Sequence, residues 1–368
     1  MFTAGNRLKL TIFGSSHGPY IGGILDGLPA GVNIDMDYIN KWLDRRRPGI
    51  NSITTQRKES DRIEFISGLK EFYTDGSPLG FIFRNEDYIN KHYDYIRDNP
   101  RPGHADITMY YKYGEYRNYE GGGFFSGRMT LPLVAAGSIA MHILKNINIS
   151  IVSYIKSAGG FNIQNENISD EDYSYSFRTR MPDPDLDDKL YNKILEIIKD
   201  GDSLGGIIKT IAYNIPPGIG EPFFDSVEST IAHLMFSIPG LKGIEFGAGF
   251  KLGSMSGSQA NDTFYYDGDK IKTRTNNSGG ILGGITNGMP LEFSVVMKPT
   301  SSIRKKQETV NLKTHQPSEI QVIGRHDPFI TLRAVPVVQA LTGFAILDLI
   351  MSDSSQKKWD IFNRGDGN

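Results

Sequence analysis

Histidine exchanges protons near neutral pH more readily than any other side chain. Three of the seven in this chain sit in tight, glycine- or proline-marked stretches. His17 lies in GSSHG (14–18), His104 in RPGHAD (101–106) and His326 in GRHDP (324–328). Ser16 places a hydroxyl next to His17. Pro102 and Gly103 fix a bend just before His104, Arg101 stands beside it, and Asp106 opens a helical stretch. An imidazole on a rigid turn beside a guanidinium suits acid–base work on an anion. Each stretch by itself also reads as a turn or a helix cap. Asp327 is either a base or a structural turn residue.

Anion-binding chemistry recurs along the chain. LDRRRPG (43–49) sets Arg45, Arg46 and Arg47 at a helix end. That is a solvated helix terminus or a fork for carboxylate and phosphate. EGGGFFSGRMT (120–130) runs a glycine-rich loop into a small-residue helix, with Ser126 and Arg128 beside it. Exposed amides at a helix start suit a phosphate. NNSGGILGGITNGMP (276–290) and KPTSSI (298–303) carry the same ambiguity between grip and turn. No P-loop, G-x-S-x-G elbow or dinucleotide fingerprint is present. The histidines are scattered and there is no cysteine, so a metal is the weaker option. The sum is a protein that binds a heavily anionic ligand and does acid–base work on it.

These stretches need a frame. Alternation and β-branched enrichment predict strands over 7–13, 62–66, 79–84, 147–155, 206–213, 241–252 and 291–297. Helical spacing marks DMDYINKWLDRRRPG, TLPLVAAGSIAMHILKNI, DDKLYNKILEIIKDG, DSVESTIAHLMFSIPG and a last helix from near Val335 to about Met351. Strands come in pairs between helices, which predicts an α+β fold with antiparallel pairing. One domain over 1–355 is expected. The polar stretch 162–188 reads as a surface excursion, and 356–368 as a polar tail.

Composition excludes several classes. A net charge of −2 gives no argument for nucleic acid or a membrane surface. Without cysteine there are no disulfides, iron–sulfur clusters or thiolate zinc sites. The start lacks a signal-peptide pattern, and a reducing cytoplasm fits. The most apolar run, AVPVVQALTGFAILDLIM, is interrupted by Pro336, Gln339, Thr342, Gly343 and Asp348, so it reads as a buried helix.

The order of the motifs carries more than any one of them. GSSHG, RRRPG, RPGHAD, GGGFFSGRMT, GDSLGG, GLKGIEFGAGF, TNNSGGILGGITNG, KPTSSI and GRHDP followed by RAVPVVQA resemble chorismate synthase in order and approximate spacing, from about Gly5 to Asp348. The resemblance implies a β-α-β sandwich and a cytoplasmic homotetramer. It implies a trans-1,4-elimination converting 5-enolpyruvylshikimate 3-phosphate to chorismate and phosphate in aromatic amino-acid biosynthesis. Reduced FMN is required there without net redox change. His17, His104, Asp327 and Ser16 match the family's catalytic positions, with His104 as an imidazolium beside the flavin. Arg46, Arg47, Arg101, Arg128 and Arg325 match substrate cations. Ser126, Phe124, Phe125, Gly283, Lys298, Pro299, Thr300, Ser301, Ser302 and Arg325 map to the flavin site, as do Pro239 and Gly240 through backbone atoms. Some members also reduce their flavin with NADPH. Arg46 matches a nicotinamide-phosphate contact and Ser52 does not, so an NADPH:FMN oxidoreductase or a non-catalytic flavin binder stands as the alternative.

The departures from the family pattern are local. Ser15 stands where GESHG has glutamate. Glu120, Phe124, Phe125 and Met129 replace the arginine, flavin-side arginine, serine and glutamate of RGGGRSSARET. His17, His104, Arg128 and Asp327 all remain, which marks a subfamily variant. Lys298 and Arg57 are candidates to replace the lost cation. Restoring it by Phe124→Arg is expected to tighten FMN binding in a flavin-fluorescence titration; unchanged affinity would mean that another cation already serves.

Overall fold

A strand with one apolar face needs a second layer to cover it, and here helices supply that layer for two sheets at once. The computed structural model describes residues 2–49, 52–54, 59–86, 94–164, 168–322 and 327–353. The strands are β1 (Thr3–Ala4), β2 (Lys9–Gly14), β3 (Tyr20–Asp26), β4 (Ile63–Ser67), β5 (Leu69–Lys70), β6 (Tyr73–Thr74), β7 (Leu79–Arg84), β8 (Ser150–Ala158) and β9 (Phe161–Asn162). They continue with β10 (Gly206–Tyr213), β11 (Leu241–Phe246), β12 (Phe264–Asp267), β13 (Lys270–Thr273), β14 (Ile281–Leu282), β15 (Ile285–Thr286), β16 (Leu291–Met297), β17 (Gln307–Asn311) and β18 (Gln316–Ile320). The helices are α1 (Met36–Arg46), α2 (Asp94–Asp98), α3 (Asp106–Tyr113), α4 (Leu131–Leu144), α5 (Pro184–Lys199), α6 (Val227–Met235), α7 (Gly257–Ala260) and α8 (Thr331–Ser352).

One sheet has the order β1-β2-β3-β7-β4 and the other β11-β16-β10-β8-β9. Every pairing in both is antiparallel. Helix α4 packs on β2 and β3, and α8 packs on β8 and β10. The fold is therefore α+β with helices between two sheets, as expected.

Helices α4 and α8 touch backbone to backbone. A Cβ on Gly137 would lie 2.2 Å from the Ala340 carbonyl oxygen, and one on Gly343 would lie 2.3 Å from the Met141 side chain. The contacts advance in the same direction along both helices, so their N-termini share one end of the layer. Both helices are buried along most of their length, which their all-round apolar character requires.

Three expectations need correction. Helix α8 begins at Thr331, not near Val335, and carries Pro336 inside it. Proline cannot donate to the Leu332 carbonyl, which accepts from the Arg180 guanidinium instead. The strand expected over 241–252 ends at Phe246, where the chain turns and Phe250 N–H donates to the Glu245 carboxylate at 3.2 Å. The stretch 162–188 is not all surface. Thr179, Arg180 and Met181 are buried, and the Tyr175 hydroxyl donates to Gln339 of α8 at 3.0 Å. Its polar groups go inside because they are paired there. The last residues, 354–368, lie outside the described residues.

Alanine normally favours a helix over glycine by about 1 kcal/mol. Gly137→Ala is expected to do the opposite, lowering stability by about 1–3 kcal/mol in a urea titration, because the methyl group meets the backbone of α8. A stabilised variant would show that the helices separate freely there.

Candidate active site

The N-termini of α4 and α8 open onto one cavity of about 740 Å³. Their positive dipole ends favour a negatively charged occupant. The cavity is lined by His17, Arg46, Arg101, His104, Phe124, Phe125, Ser126, Arg128, Pro239, Gly240, Lys298, Pro299, Thr300, Ser301, Ser302 and Asp327. Residues more than 300 positions apart in the chain thus share one wall.

The glycine triplet seats the two histidines. Gly121, Gly122 and Gly123 have φ of 57°, 86° and 52°, a region costly for residues with a Cβ. A Cβ on Gly121 would lie 1.8 Å from His17 Cε1, and one on Gly122 would lie 3.4 Å from His104 Cε1. The loop is a ledge with an imidazole against each of two successive glycines. Ser16, fully buried, has Oγ 3.0 Å from His17 Nδ1. Asn85 holds the loop beneath His17, donating to the Ser15 carbonyl at 3.0 Å and to the Gly18 carbonyl.

The arginines are not free cations waiting for substrate. Arg46 donates to Asp61 Oδ2 at 3.1 Å, Thr130 Oγ1 at 3.1 Å and the Gly127 carbonyl at 2.9 Å. Arg128 pairs with Asp61 Oδ1 at 2.7 Å and Glu59 Oε2 at 3.1 Å. Arg101 is bound twice by Asp106, with Nε to Oδ2 at 2.7 Å and Nη2 to Oδ1 at 2.8 Å. A guanidinium taken out of water needs such a partner. Burial nonetheless pulls Arg46 down to about 9, with repulsion from Arg333 adding to it and Asp61 opposing it.

Beside the His104 turn, Lys298 Nζ donates to the Gly103 carbonyl at 2.6 Å and to Ser301 Oγ at 2.7 Å. Burial lowers its pKa, and the nearby Lys242 ammonium lowers it further. Thr300 Oγ1 donates to the Asp327 carbonyl at 2.9 Å. The Asp327 carboxylate accepts from Arg333 Nη1 at 2.5 Å, and Arg333 Nε reaches back to the Arg46 carbonyl at 3.1 Å. Phe124 and Phe125 form an aromatic wall, with centroids 4.8 Å apart and Tyr113 edge-on to Phe124 at 5.5 Å.

Arg47 and Gly283, both assigned to the site from the sequence, do not line this cavity. Arg47 points outward and pairs with Asp44 at 3.2 Å, because the helix ends one residue before it. Gly283 sits in the exposed β14–β15 turn, away from the cavity. His104 lines the cavity, as assigned. Burial lowers its pKa, and Arg101 and Lys298 add to that, while Asp106 opposes them. Arg325, His326 and Arg57 lie outside the described residues.

Of the carboxylates that organise the site, Asp106 was read only as a helix start, and Glu59 and Asp61 escaped the sequence reading, as did Asn85, Lys242 and Arg333. The signal that pointed to Asp106 was its place in RPGHAD. Asp61 gave none, since its carboxylate meets Arg46 and Arg128 only across the tertiary fold. It adopts φ of 48°, unusual for a residue with a side chain.

The chorismate synthase family model matches residues 8–351. The chain belongs to the chorismate synthase family. It is 44% identical over 348 residues to the chorismate synthase of Korarchaeum cryptofilum, covering 94% of this chain and 96% of that one. It is 43% identical over 355 residues to that of Christiangramia forsetii, covering 96% and 98%. A crystal structure of chorismate synthase superposes with a TM-score of 0.74 at 27% identity, covering 95% of this chain and 93% of the other.

The paired carboxylates make stability depend on pH in a defined direction. Burial works to raise the Asp61 carboxyl, and Arg46 and Arg128 outweigh it, leaving it below the ordinary range. Burial likewise opposes Arg101 and His104 at Asp106, and the net value is again low. A depressed carboxylate contributes stability that is present above the unfolded value of about 3.9 and lost as pH falls through the folded one. The difference in urea midpoint between the wild type and Asp61→Asn is therefore expected to be large near neutrality and to close below pH about 4. A difference that does not change with pH would contradict the pairing.

Proposed function

We propose that the protein catalyses the trans-1,4-elimination of phosphate from 5-enolpyruvylshikimate 3-phosphate, giving chorismate, with reduced FMN bound in the cavity. The observation that carries this reading is the seating of His17 and His104 on successive glycines of one loop, inside a cavity rimmed by cations. A volume of about 740 Å³ falls in the range that houses a cofactor or substrate of this size.

The donor set fits a flavin with a phosphate tail. Lys298, Thr300, Ser301 and Ser302 offer an ammonium and three hydroxyls, Pro239 and Gly240 offer backbone, and Phe124 and Phe125 offer apolar surface. A reduced FMN held by these residues would supply transient electron density for breaking the carbon–oxygen bond, with no net redox change. The chain's own residues do the rest. Arg46, Arg101 and Arg128 fix the substrate's phosphate and carboxylates, already aimed by their acid partners. His17 gives a proton to the departing phosphate, with Ser16 holding its ring. His104 takes up positive charge when anionic ligands arrive and reverse the effect of burial. Asp327, oriented by Arg333, receives at its carboxylate the proton that the substrate's ring carbon loses, which balances the proton His17 gives to phosphate.

The NADPH:FMN oxidoreductase reading has less support. Ser52 stands where that reading expects a second nicotinamide-phosphate contact. The homotetramer is part of the proposal, since Phe223, Phe224 and Phe250 are 85%, 92% and 86% exposed and would gain cover from other protomers. Gly283, if it meets flavin, does so from a neighbouring protomer.

Anaerobic protein supplied with dithionite-reduced FMN and 5-enolpyruvylshikimate 3-phosphate is expected to form chorismate and phosphate in equal amounts. Folded protein that forms none would sink the reading. His17→Ala and His104→Ala are each expected to lower kcat by about 10²-fold or more with the far-UV CD spectrum retained. A near-normal rate in either would remove that residue from the mechanism.

A further inference from the structure

We propose that Asp106 is a positioning residue that fixes the tautomer of His104, keeping the proton on Nδ1 and leaving Nε2 as the nitrogen free to act in the cavity. The inference deepens the functional reading above and rests on it only for its consequence in turnover.

Asp106 opens α3 but does not cap it. The N-cap is Ala105, and it has no side-chain cap bond. The carboxylate turns back toward the RPGH bend instead. Oδ2 accepts from the Arg101 backbone N–H at 3.0 Å and from Arg101 Nε at 2.7 Å. Oδ1 accepts from Arg101 Nη2 at 2.8 Å and lies 2.7 Å from His104 Nδ1. Four partners fill the accepting capacity of one carboxylate. Both Arg101 and Asp106 are buried, and Arg101 Nη1 extends the network to Ser302 at 3.1 Å.

His104 Nδ1 has two neighbours with opposite demands. Arg101 Nη2, at 3.1 Å, can only donate, so a bond to it needs a bare nitrogen. Asp106 Oδ1, at 2.7 Å, can only accept, so a bond to it needs a proton on that nitrogen. The carboxylate is nearer, and Arg101 Nη2 already has Asp106 Oδ1 as its acceptor. A buried carboxylate facing a bare nitrogen would be repelled, whereas a charge-assisted bond between them is strong. The proton therefore sits on Nδ1. The Cε1–Nε2 edge then lies over Gly122, where a Cβ would be 3.4 Å from Cε1 and 3.6 Å from Nε2.

Asp106 also sets how easily the ring gains charge. Among the described residues, the charged groups facing it are Asp106 and Arg101 from its own turn and Lys298 from the loop after β16; the glycine ledge brings backbone only. Asp106 is the one acid among them and the one group that favours the imidazolium. Without it, burial and two cations act unopposed.

Histidine-selective ¹⁵N NMR of the ligand-free protein tests the tautomer with no turnover needed. Neutral His104 protonated at Nδ1 is the expected result; protonation at Nε2 would overturn the proposal. Asp106→Asn can still accept from Arg101 while its amide donates to Nδ1, so it is expected to reverse the tautomer and lower the His104 pKa. In the anaerobic chorismate assay it is expected to cut kcat by about 10²-fold and shift the pH profile, with KM little changed. Asp106→Glu is expected to restore part of the rate. An Asp106→Asn enzyme with unaltered kcat and pH profile would overturn the proposal. Should that variant fail to fold, the wild-type tautomer decides. A wild type that forms no chorismate would count against the functional reading, and the NMR result would still stand for or against Asp106.

Discussion

The backbone contact between α4 and α8 at Gly137 and Ala340 is what the rest of the molecule depends on. Two helices that touch without intervening side chains are fixed in register and direction. Because they run the same way, their N-termini open together at one end of the sandwich. The segments that enter those helices are Gly121–Thr130 and the stretch from Asp327, and both line the cavity. Helix α1 delivers Arg46 to the same place from its last turn. The sheets on either side cover the layer and supply the loops, so the position of the site follows from how the helices meet.

Electrostatics sets the next constraint. The helix ends and the guanidinium groups all favour an anion, yet cations cannot be buried alone. Asp61 resolves the conflict for Arg46 and Arg128, and Asp106 does so for Arg101. Each acid removes the cost of burial and at the same time orients the donors it binds. A cavity built this way presents fixed donors to a ligand with little reorganisation, the condition under which electrostatic stabilisation is most effective. Asp106 also faces the imidazole of His104 and opposes, without overcoming, the burial that lowers its basicity.

Much of this was legible in the residue order. Strands β7, β10 and β16 were found to the residue because each is a short run rich in β-branched or aromatic residues. Strand β3 was not, although it lies at the centre of its sheet. It contains Gly22 and Gly23, poor strand formers, which are there because the rings of Phe13 and Phe81 occupy the space of their side chains. The polar stretch around Tyr175 and Arg180 misled for a related reason. Its polar atoms are paired with partners far along the chain, and no local pattern reveals such pairing.

The sequence by itself determined the chemical parts: two histidines on tight turns, arginines beside them, a glycine-rich loop and a hydroxyl-rich one, in an order that resembles one enzyme family. Those features are local, set by residue type and by spacings of a few positions. Only the tertiary structure decided which of them meet. It turned Arg47 outward, left Gly283 at an exposed turn and brought Asp61 between two arginines. It converted the glycine triplet from a phosphate grip into a ledge for His17 and His104. Charge pairing and close approach act through space, between residues that the chain order keeps far apart, so the fold alone settles them.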